Sequence, residues 1–255
     1  MKKIAPAKEL FSRAWLNLKA TWRIVLPLAA LIQAAAYVFD RLIGLLPDLA
    51  GSLLSIVGSA LVMVPMTGLL SGVLGQLRRK NLTYDCIHSM LPHAWKVIGV
   101  YLWTMLCLFG WMLPGMGGMI VGGVMMVLAQ KLPLLGIFGG LLMLAGMVLI
   151  VILACQAVHS YAMSNCVLID APDTPVRAVL KRSKEMMHGY RWHYFKVGLP
   201  VFLGIIVITL VIGGLSTALP LWLTSLLFLP LNVAVSAMSQ FTLGVMYGEL
   251  KRIGR

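Results

Sequence analysis

Residues 181–198, KRSKEMMHGYRWHYFKVG, place basic, histidine and aromatic side chains directly before an apolar run that begins at Leu199. The whole chain is 60% hydrophobic and only 11% charged. A soluble fold of 255 residues cannot bury that much apolar surface. The composition therefore predicts a polytopic membrane protein, and residues 181–198 have the character of a segment that leads into one of its spans.

The membrane spans are predicted from apolar runs of about 20 residues, the length that crosses a hydrocarbon layer of about 30 Å. Six such runs divide the sequence, separated by polar or basic segments. They predict an all-α polytopic transmembrane helical bundle with six spans, in a single membrane domain over residues 1–255. The runs are Ile24 to Leu46, Leu53 to Gln76, Val97 to Leu113, Leu134 to Met163, Val197 to Ala218 and Leu221 to Tyr247.

The orientation follows from lysine and arginine, which gather in residues 2–23, 78–96, 177–196 and 251–255. If these segments share one face of the membrane, the chain crosses an even number of times between each pair. The positive-inside bias then makes that face cytoplasmic and places both termini on it.

The glycine-rich stretch Gly115–Gln130 is also apolar enough to cross the membrane, and Pro114 precedes it. A seventh crossing would send either residues 78–96 or residues 177–196 to the outer face, against the positive-inside bias. The stretch is therefore either an extension of the third helix, kinked at Pro114, or a re-entrant segment packed against protein. The sequence leaves both alternatives open.

An internal repeat is predicted from Trp22, Trp95 and Trp192. Each of these tryptophans follows a polar segment of helical period and leads into an apolar run, where an amphipathic ring sits well at the level of the lipid head groups. The pattern predicts pseudo-repeats, each an interfacial amphipathic helix plus a transmembrane hairpin. Their approximate limits are residues 5–76, 82–166 and 173–250.

The third of these polar segments has the clearest pattern of an in-plane amphipathic helix. Its apolar residues recur at steps of three to four, and Ser183 is the exception on that face. The apolar face is Val176, Leu180, Met187 and Tyr190, and the polar face is Arg177, Lys181, Lys184, Glu185 and His188.

A family resemblance is carried by VLIDAPDTPVRAVLKRSKEMMHGYRWHYFKVGLPVFLG at residues 167–204 and by MYGELKRIG at residues 246–254. From about Leu77 onward the chain resembles the YciC-like bacterial inner-membrane proteins and the related membrane domain found beside some glycerophosphodiester phosphodiesterases. The resemblance implies a multi-pass protein of the bacterial inner membrane and assigns no reaction. No phosphodiesterase catalytic residue can be carried over.

The basic residues of the polar segments are candidates for binding lipid head groups or an acidic partner. Each charge near an anionic leaflet is worth about 1 kcal/mol. Membrane topology by itself is the alternative explanation. The leading hypothesis is a non-enzymatic protein that engages anionic lipid or a membrane-protein partner, and no nucleic acid, through Arg13, Lys19, Arg23, Arg78, Arg79, Lys80, Lys96, Lys181, Arg182, Lys184, Arg191 and Lys196.

Polar residues within the spans give a second hypothesis, a transporter or channel for a small solute or lipid. Polar groups in hydrocarbon are costly without partners, so these residues should face the interior of the bundle. Hydrogen bonding between helices is the simpler explanation. The candidate path is Gln156, His159 and Ser160 on the fourth span and Asn232, Ser236 and Gln240 on the last.

Metal binding and catalysis find little support in the sequence. A zinc site needs about four converging ligands, whereas the histidines come as pairs five residues apart, His88 with His93 and His188 with His193. Phosphate-binding loops, a nucleophile elbow and deeply embedded carboxylate pairs are missing. Asp40 is expected to pair with its neighbour Arg41 at the outer end of the first hairpin. We therefore expect no cofactor, no metal and no enzymatic reaction.

Glycine pairs at GxxxG spacing allow two helices to approach closely. They predict tight packing within the chain or between the copies of a homo-oligomer. The pairs are Gly68 with Gly72, Gly118 with Gly122, Gly136 with Gly140, and Gly244 with Gly248.

Overall fold

The computed structural model of the chain describes residues 4–44, 48–129, 133–215 and 220–254. These residues form helices joined by turns and short connections, as the all-α prediction requires. In chain order the elements are α1 (Ala7–Ile43), α2 (Asp48–Leu77), a 3₁₀ helix (Tyr84–His93), α3 (Ala94–Leu128), α4 (Pro133–Tyr161), α5 (Ser164–Asp170), α6 (Val176–Met187), α7 (Arg191–Leu215) and α8 (Leu221–Arg252).

The prediction of six membrane spans is confirmed. Within the described residues, six helical stretches are long and apolar enough to cross a membrane, and they follow the order of the predicted runs. The predicted ends of the first and fifth spans, at Leu46 and Ala218, lie outside the described residues.

The polar segments that precede Trp22, Trp95 and Trp192 take different structures. The first is continuous with its span in α1, a helix of 37 residues and about 55 Å. The second is the 3₁₀ helix. The third is the separate helix α6, which a turn through Gly189 at φ 83° divides from α7. The threefold repeat is therefore not confirmed, because a polar segment that leads into a span can be built in several ways.

The stretch Gly115–Gln130 extends the third helix. Helix α3 runs without interruption from Ala94 to Leu128 and contains Pro114, while Gln130 lies outside the described residues. Helix α4 packs along α3 as the second arm of a hairpin. Of the two alternatives that the sequence left open, the structure shows the helical extension.

Glycines bring the backbones of α3 and α4 into contact. A Cβ built on Gly122 would lie 2.7 Å from the carbonyl oxygen of Gly139, and one built on Gly146 would lie 2.7 Å from that of Gly115. Real side chains do not approach a carbonyl oxygen so closely, so these positions require glycine. By contrast, a Cβ on Gly140 would touch nothing within 4 Å among the described residues.

The packed core lies among α1, α2, α5, α6 and α8. Leu10, Leu69, Met187 and Phe241 are among its large, fully buried side chains. Of the hairpin, the first turns of α3 contribute to this core among the described residues, through Val97 and Val100. Helix α1 packs on α2, α7 and α8, and α6 packs on α3, α4 and α5.

Helix α6 buries its apolar face in protein. Val179, Leu180 and Met187 on that face are at most 3% exposed. Ser183, the predicted exception, is fully buried with them, and its hydroxyl donates to the carbonyl oxygen of Ser160 in α4 at 3.1 Å. Because α3, α4 and α5 already cover this face, it packs on protein and not on lipid, while the in-plane orientation of the helix stays a prediction.

Candidate functional site

Asp170, the last residue of α5, binds basic side chains from distant parts of the chain. Its Oδ1 accepts a hydrogen bond from Arg78 Nη2 at 2.6 Å, and its Oδ2 accepts from Lys251 Nζ at 2.6 Å. The hydroxyl of Tyr247 also donates to Oδ2, at 2.8 Å. This Asp170 cluster joins the end of α2, the end of α5 and the end of α8.

Glu249 forms a second ionic cluster, between α1 and α8. The buried carboxylate accepts from Arg13 Nη1 at 2.9 Å and from Arg252 Nη2 at 2.9 Å. Lys96 makes a further link, because its Nζ donates to the carbonyl oxygen of Pro172 at 2.6 Å. Together with the Asp170 cluster, these contacts bring three of the four basic segments, residues 2–23, 78–96 and 251–255, to one end of the bundle, next to Asp170 and Pro172, which precede the fourth.

The predicted binding residues therefore divide into two groups. Arg13, Arg78 and Lys96 are held by carboxylates of the chain itself. The rest of the predicted cations have no carboxylate within ion-pair distance among the described residues, and their side chains are at least partly exposed. They are Lys19, Arg23, Arg79, Lys80, Lys181, Arg182, Lys184, Arg191 and Lys196.

Exposed tryptophans accompany these cations. Trp22 is 50% exposed, Trp95 is 85% exposed and Trp192 is 66% exposed. The guanidinium carbon of Arg23 lies 5.8 Å from the centre of the Trp22 ring, and Lys196 Nζ lies 5.6 Å from that of Trp192. Cations over indole rings at such distances are attracted by the ring quadrupole.

Arg79 has a backbone conformation that arginine rarely adopts. It has φ 65° and lies two residues after the end of α2. Its N–H donates to the carbonyl oxygen of Gln76 at 2.8 Å, and the N–H of Lys80 donates to that of Gly75 at 3.0 Å. Glycine is the usual residue at this position of such a helix end. Sequence reasoning counted Arg79 only as one charge among many, because glycine is the residue that signals a helix end of this type in a sequence, and no glycine is present at this position.

A cavity of about 760 Å³ lies between α1, α2, α7 and α8. Asn232 and Ser236 of the predicted polar path line it. Sequence reasoning missed the other polar residues around it, although their spacing on apolar helices was a usable signal. These include Gln33, Tyr37, Asp40, Ser55, Ser59, Tyr101 and Ser239.

Asp40 does not pair with Arg41 as expected. No ion pair joins them in the described part of the chain. The guanidinium of Arg41 instead lies 5.0 Å from the centre of the Tyr37 ring, while Asp40 lines the cavity. Neighbours on a helix point in different directions, so adjacent charges do not meet directly.

The rest of the predicted polar path lies elsewhere. Gln156 and His159 line a groove of about 500 Å³ between α4 and α7, together with Arg191. Ser160 is buried against α6, and its hydroxyl donates to the carbonyl oxygen of Gln156 at 2.6 Å. Gln240 has a buried Oε1 without a hydrogen-bond partner in the described structure. The two halves of the path thus line separate spaces.

Histidine, cysteine and acidic side chains do not gather in groups of three or more that could hold a metal ion, as far as the described residues extend. His88, His93, His188 and His193 thus remain outside any such group in that part of the chain. The expectation that the protein uses no metal remains a prediction.

The family described as "Protein of unknown function (DUF975)" matches residues 5–247. The chain belongs to this family. The match includes residues 5–76, which the resemblance to YciC-like proteins did not cover. The link to those proteins and to the phosphodiesterase-associated domain remains a prediction. No curated protein matches the chain, and no solved structure does. Membership of the DUF975 family assigns no activity.

Proposed function

We propose that this member of the DUF975 family is a non-enzymatic multi-pass protein of the bacterial inner membrane that binds anionic lipid at its basic end. One observation carries the proposal. The carboxylates at that end bind Arg13, Arg78 and Lys96, while the other predicted cations have no acidic partner among the described residues. Anionic head groups are the abundant counter-charge at a cytoplasmic membrane surface.

Arg79 argues against topology as the only reason for these charges. The positive-inside bias depends on how many lysines and arginines a segment carries and not on their backbone conformation. A non-glycine residue at positive φ costs conformational energy, and Arg79 has φ 65°. The presence of arginine at this strained position supports a role for its charge at that place on the surface.

Helix α6 would meet lipid with its charged face only. Lys181, Arg182 and Lys184 are exposed, whereas the opposite face is packed on the rest of the protein. Lipid would therefore bind through head groups, without insertion of the helix between acyl chains. The isolated segment would expose apolar side chains that the whole protein buries, so the test requires the full chain.

The test measures lipid composition around the full-length protein. Membranes that contain phosphatidylethanolamine and phosphatidylglycerol are solubilised into native polymer discs, and the lipids in discs that hold the protein are quantified. We expect phosphatidylglycerol to be enriched about threefold over the bulk membrane, which corresponds to less than 1 kcal/mol. Replacement of Lys181, Arg182 and Lys184 by glutamine should remove most of that enrichment.

Arg41→Gln is the matched control, because Arg41 lies in the last turn of α1, far from the basic end. It should leave the enrichment unchanged. A wild-type disc with the composition of the bulk membrane would contradict the proposal. An equal loss in the Arg41 variant would show that the effect follows net charge and not the basic end.

The cavity between α1, α2, α7 and α8 favours a second candidate function, transport of a small polar solute. Its volume of about 760 Å³ and its polar lining are suitable for such a ligand. Ser59→Cys and Ser236→Cys, in a background whose native cysteines are alanine, would be treated with a charged thiol reagent from each side of the membrane. Transport predicts labelling from both sides, and labelling from one side only would contradict it.

A further inference from the structure

The groove between α4 and α7 combines residues that the sequence placed in two unrelated sets. Gln156 and His159 come from the predicted polar path, and Arg191 comes from the predicted basic surface. Gln156 and His159 lie in the last turns of α4, and Arg191 is the first residue of α7. The groove has a volume of about 500 Å³, so it has room for part of a lipid.

Arg191 provides the positive charge of the groove. It is the first residue of α7, and its Nε is buried without a hydrogen-bond partner among the described residues. Buried polar groups of this kind normally have a partner. No carboxylate lines the groove in the described structure, so an anion would meet the guanidinium without competition from the protein.

His159 is held in a fixed orientation beside this arginine. One ring nitrogen, Nδ1, faces the carbonyl oxygen of Cys155, one turn earlier in α4. The ring also packs edge-on against Tyr194, with centroids 5.5 Å apart, and against Phe195 at 5.7 Å. Because a nitrogen that faces a carbonyl oxygen carries the hydrogen, the other nitrogen of the neutral ring, Nε2, is an acceptor and is left for a hydrogen-bond donor of a ligand.

Aromatic and aliphatic side chains complete the groove. Trp192 stacks on Phe195 with centroids 5.2 Å apart, and Trp192 is 66% exposed, as is typical of a ring at head-group level. Val151 and Ile152 form the opposite end and are 55% and 48% exposed. Ile152 lies seven residues before His159, about 10 Å along the helix.

We propose that this groove binds one glycerophospholipid. The phosphate accepts hydrogen bonds from Arg191 and Gln156, a hydrogen-bond donor of the head group approaches His159 Nε2, and an acyl chain follows Ile152 into the span. The proposal rests on the proposed function only in placing this end of the bundle at the membrane surface. Since the groove offers one unopposed charge, which matches one phosphodiester, we expect it to bind zwitterionic and anionic phospholipids alike.

The experiment is native mass spectrometry of the full-length protein after detergent extraction and extensive washing. Wild-type protein should retain one phospholipid, either phosphatidylethanolamine or phosphatidylglycerol according to which is supplied. Arg191→Gln should reduce the retained fraction at least tenfold. Arg41→Gln, which removes one positive charge from the last turn of α1, away from the groove, should retain the lipid as the wild type does.

A second variant tests the acyl end without changing charge. Ile152→Trp fills the apolar part of the groove and should also abolish retention. Val148→Trp, one turn before Ile152 in α4 and outside the groove, should not. Equal retention in wild type and Arg191→Gln would overturn the proposal. Release of the lipid by millimolar inorganic phosphate would overturn the acyl contact, because free phosphate competes only with the head group.

Native mass spectrometry and the lipid composition of native discs together distinguish this inference from the proposed function. One retained phospholipid without enrichment of phosphatidylglycerol in native discs would support the groove and contradict the proposed function. Enrichment in discs without a retained lipid would support the proposed function and contradict the groove. Retention of phosphatidylglycerol only would also contradict the groove, since its single phosphodiester contact does not distinguish the head groups.

Discussion

The core bundle and the α3–α4 hairpin are both built from apolar helices, but they are held together differently. The bundle interlocks large side chains such as Phe241 and Leu69, and ionic clusters around Asp170 and Glu249 tie its end together. The hairpin brings backbone against backbone at glycines, and its outer surfaces carry exposed aliphatic side chains.

This contrast follows from the surroundings. Lipid tails are as apolar as leucine, so helices within a membrane gain little from burying apolar surface and associate through close packing instead. Near water, where charges keep part of their hydration, ion pairs of Asp170 and Glu249 can connect segments that are distant in sequence. The part of the hairpin with exposed aliphatic side chains has the character of the first situation, whereas the basic end of the bundle has that of the second.

The largest expected effect comes from separating the hairpin helices. Gly122→Leu should destabilise the protein by about 3 kcal/mol, because the new side chain would meet the backbone of Gly139, which cannot move aside cheaply. The unfolding midpoint in detergent measures the loss. Gly123→Leu is the matched control, since a Cβ there would touch nothing within 4 Å in the described structure. Equal loss in both variants would show that the glycine contact does not hold the hairpin.

The next effect tests the ionic clusters of the bundle. Asp170→Asn should lower the free energy of unfolding by about 2 kcal/mol. The hydrogen bonds to a charged carboxylate are lost, while the positive charges of Arg78 and Lys251 stay close together. Chemical denaturation of the purified protein measures this cost. Asp173→Asn should have almost no effect, since that side chain is fully exposed and its one ion pair within the described residues is with Lys96, at 3.6 Å. A stable Asp170 variant would show that packing alone holds the basic end.

Arg79→Gly should separate stability from lipid binding. Glycine adopts positive φ without steric cost, so the variant should be more stable by up to about 1 kcal/mol. It should also reduce the enrichment of phosphatidylglycerol in native discs. Lys80→Gly removes the same charge but relieves no positive φ, so it should lose enrichment without a gain in stability. If Arg79→Gly kept full enrichment, the charge at Arg79 would have no role in binding lipid.

The smallest expected effect concerns the contact between the core bundle and the α3–α4 hairpin. Ser183 of α6 donates to Ser160 of the hairpin from a fully buried position, so Ser183→Ala should cost about 1 kcal/mol. Ser89→Ala, which removes an exposed hydroxyl of the 3₁₀ helix, should cost less. Thermal unfolding of both variants makes the comparison, and a neutral Ser183 variant would mean that packing alone docks α6 on the hairpin.

Much of the fold could be predicted from the sequence, because span length and hydropathy are local quantities. The repeat built on Trp22, Trp95 and Trp192 was not confirmed, since the same passage from polar to apolar residues occurs in a continuous helix, a 3₁₀ helix and a separate helix. The course of Gly115–Gln130 could not be chosen, because a helical extension and a re-entrant segment have the same composition.

The candidate site was predicted only in part. Counting charges found the basic residues, but their division depends on Asp170 and Glu249, which meet Arg78 and Arg13 across 92 and 236 residues of sequence. The groove between α4 and α7 could not be seen from the sequence either. Its histidine and its arginine belong to different segments that only helix packing brings together.

The sequence by itself determined that the chain forms six apolar helices with its cations concentrated in a few segments, because these properties belong to runs of neighbouring residues. The tertiary structure decided which cations are neutralised, where glycine is obligatory and which polar residues share a groove. Those outcomes depend on distances of a few ångströms between residues far apart in the chain. No local pattern encodes such distances, since they are fixed only when the helices pack.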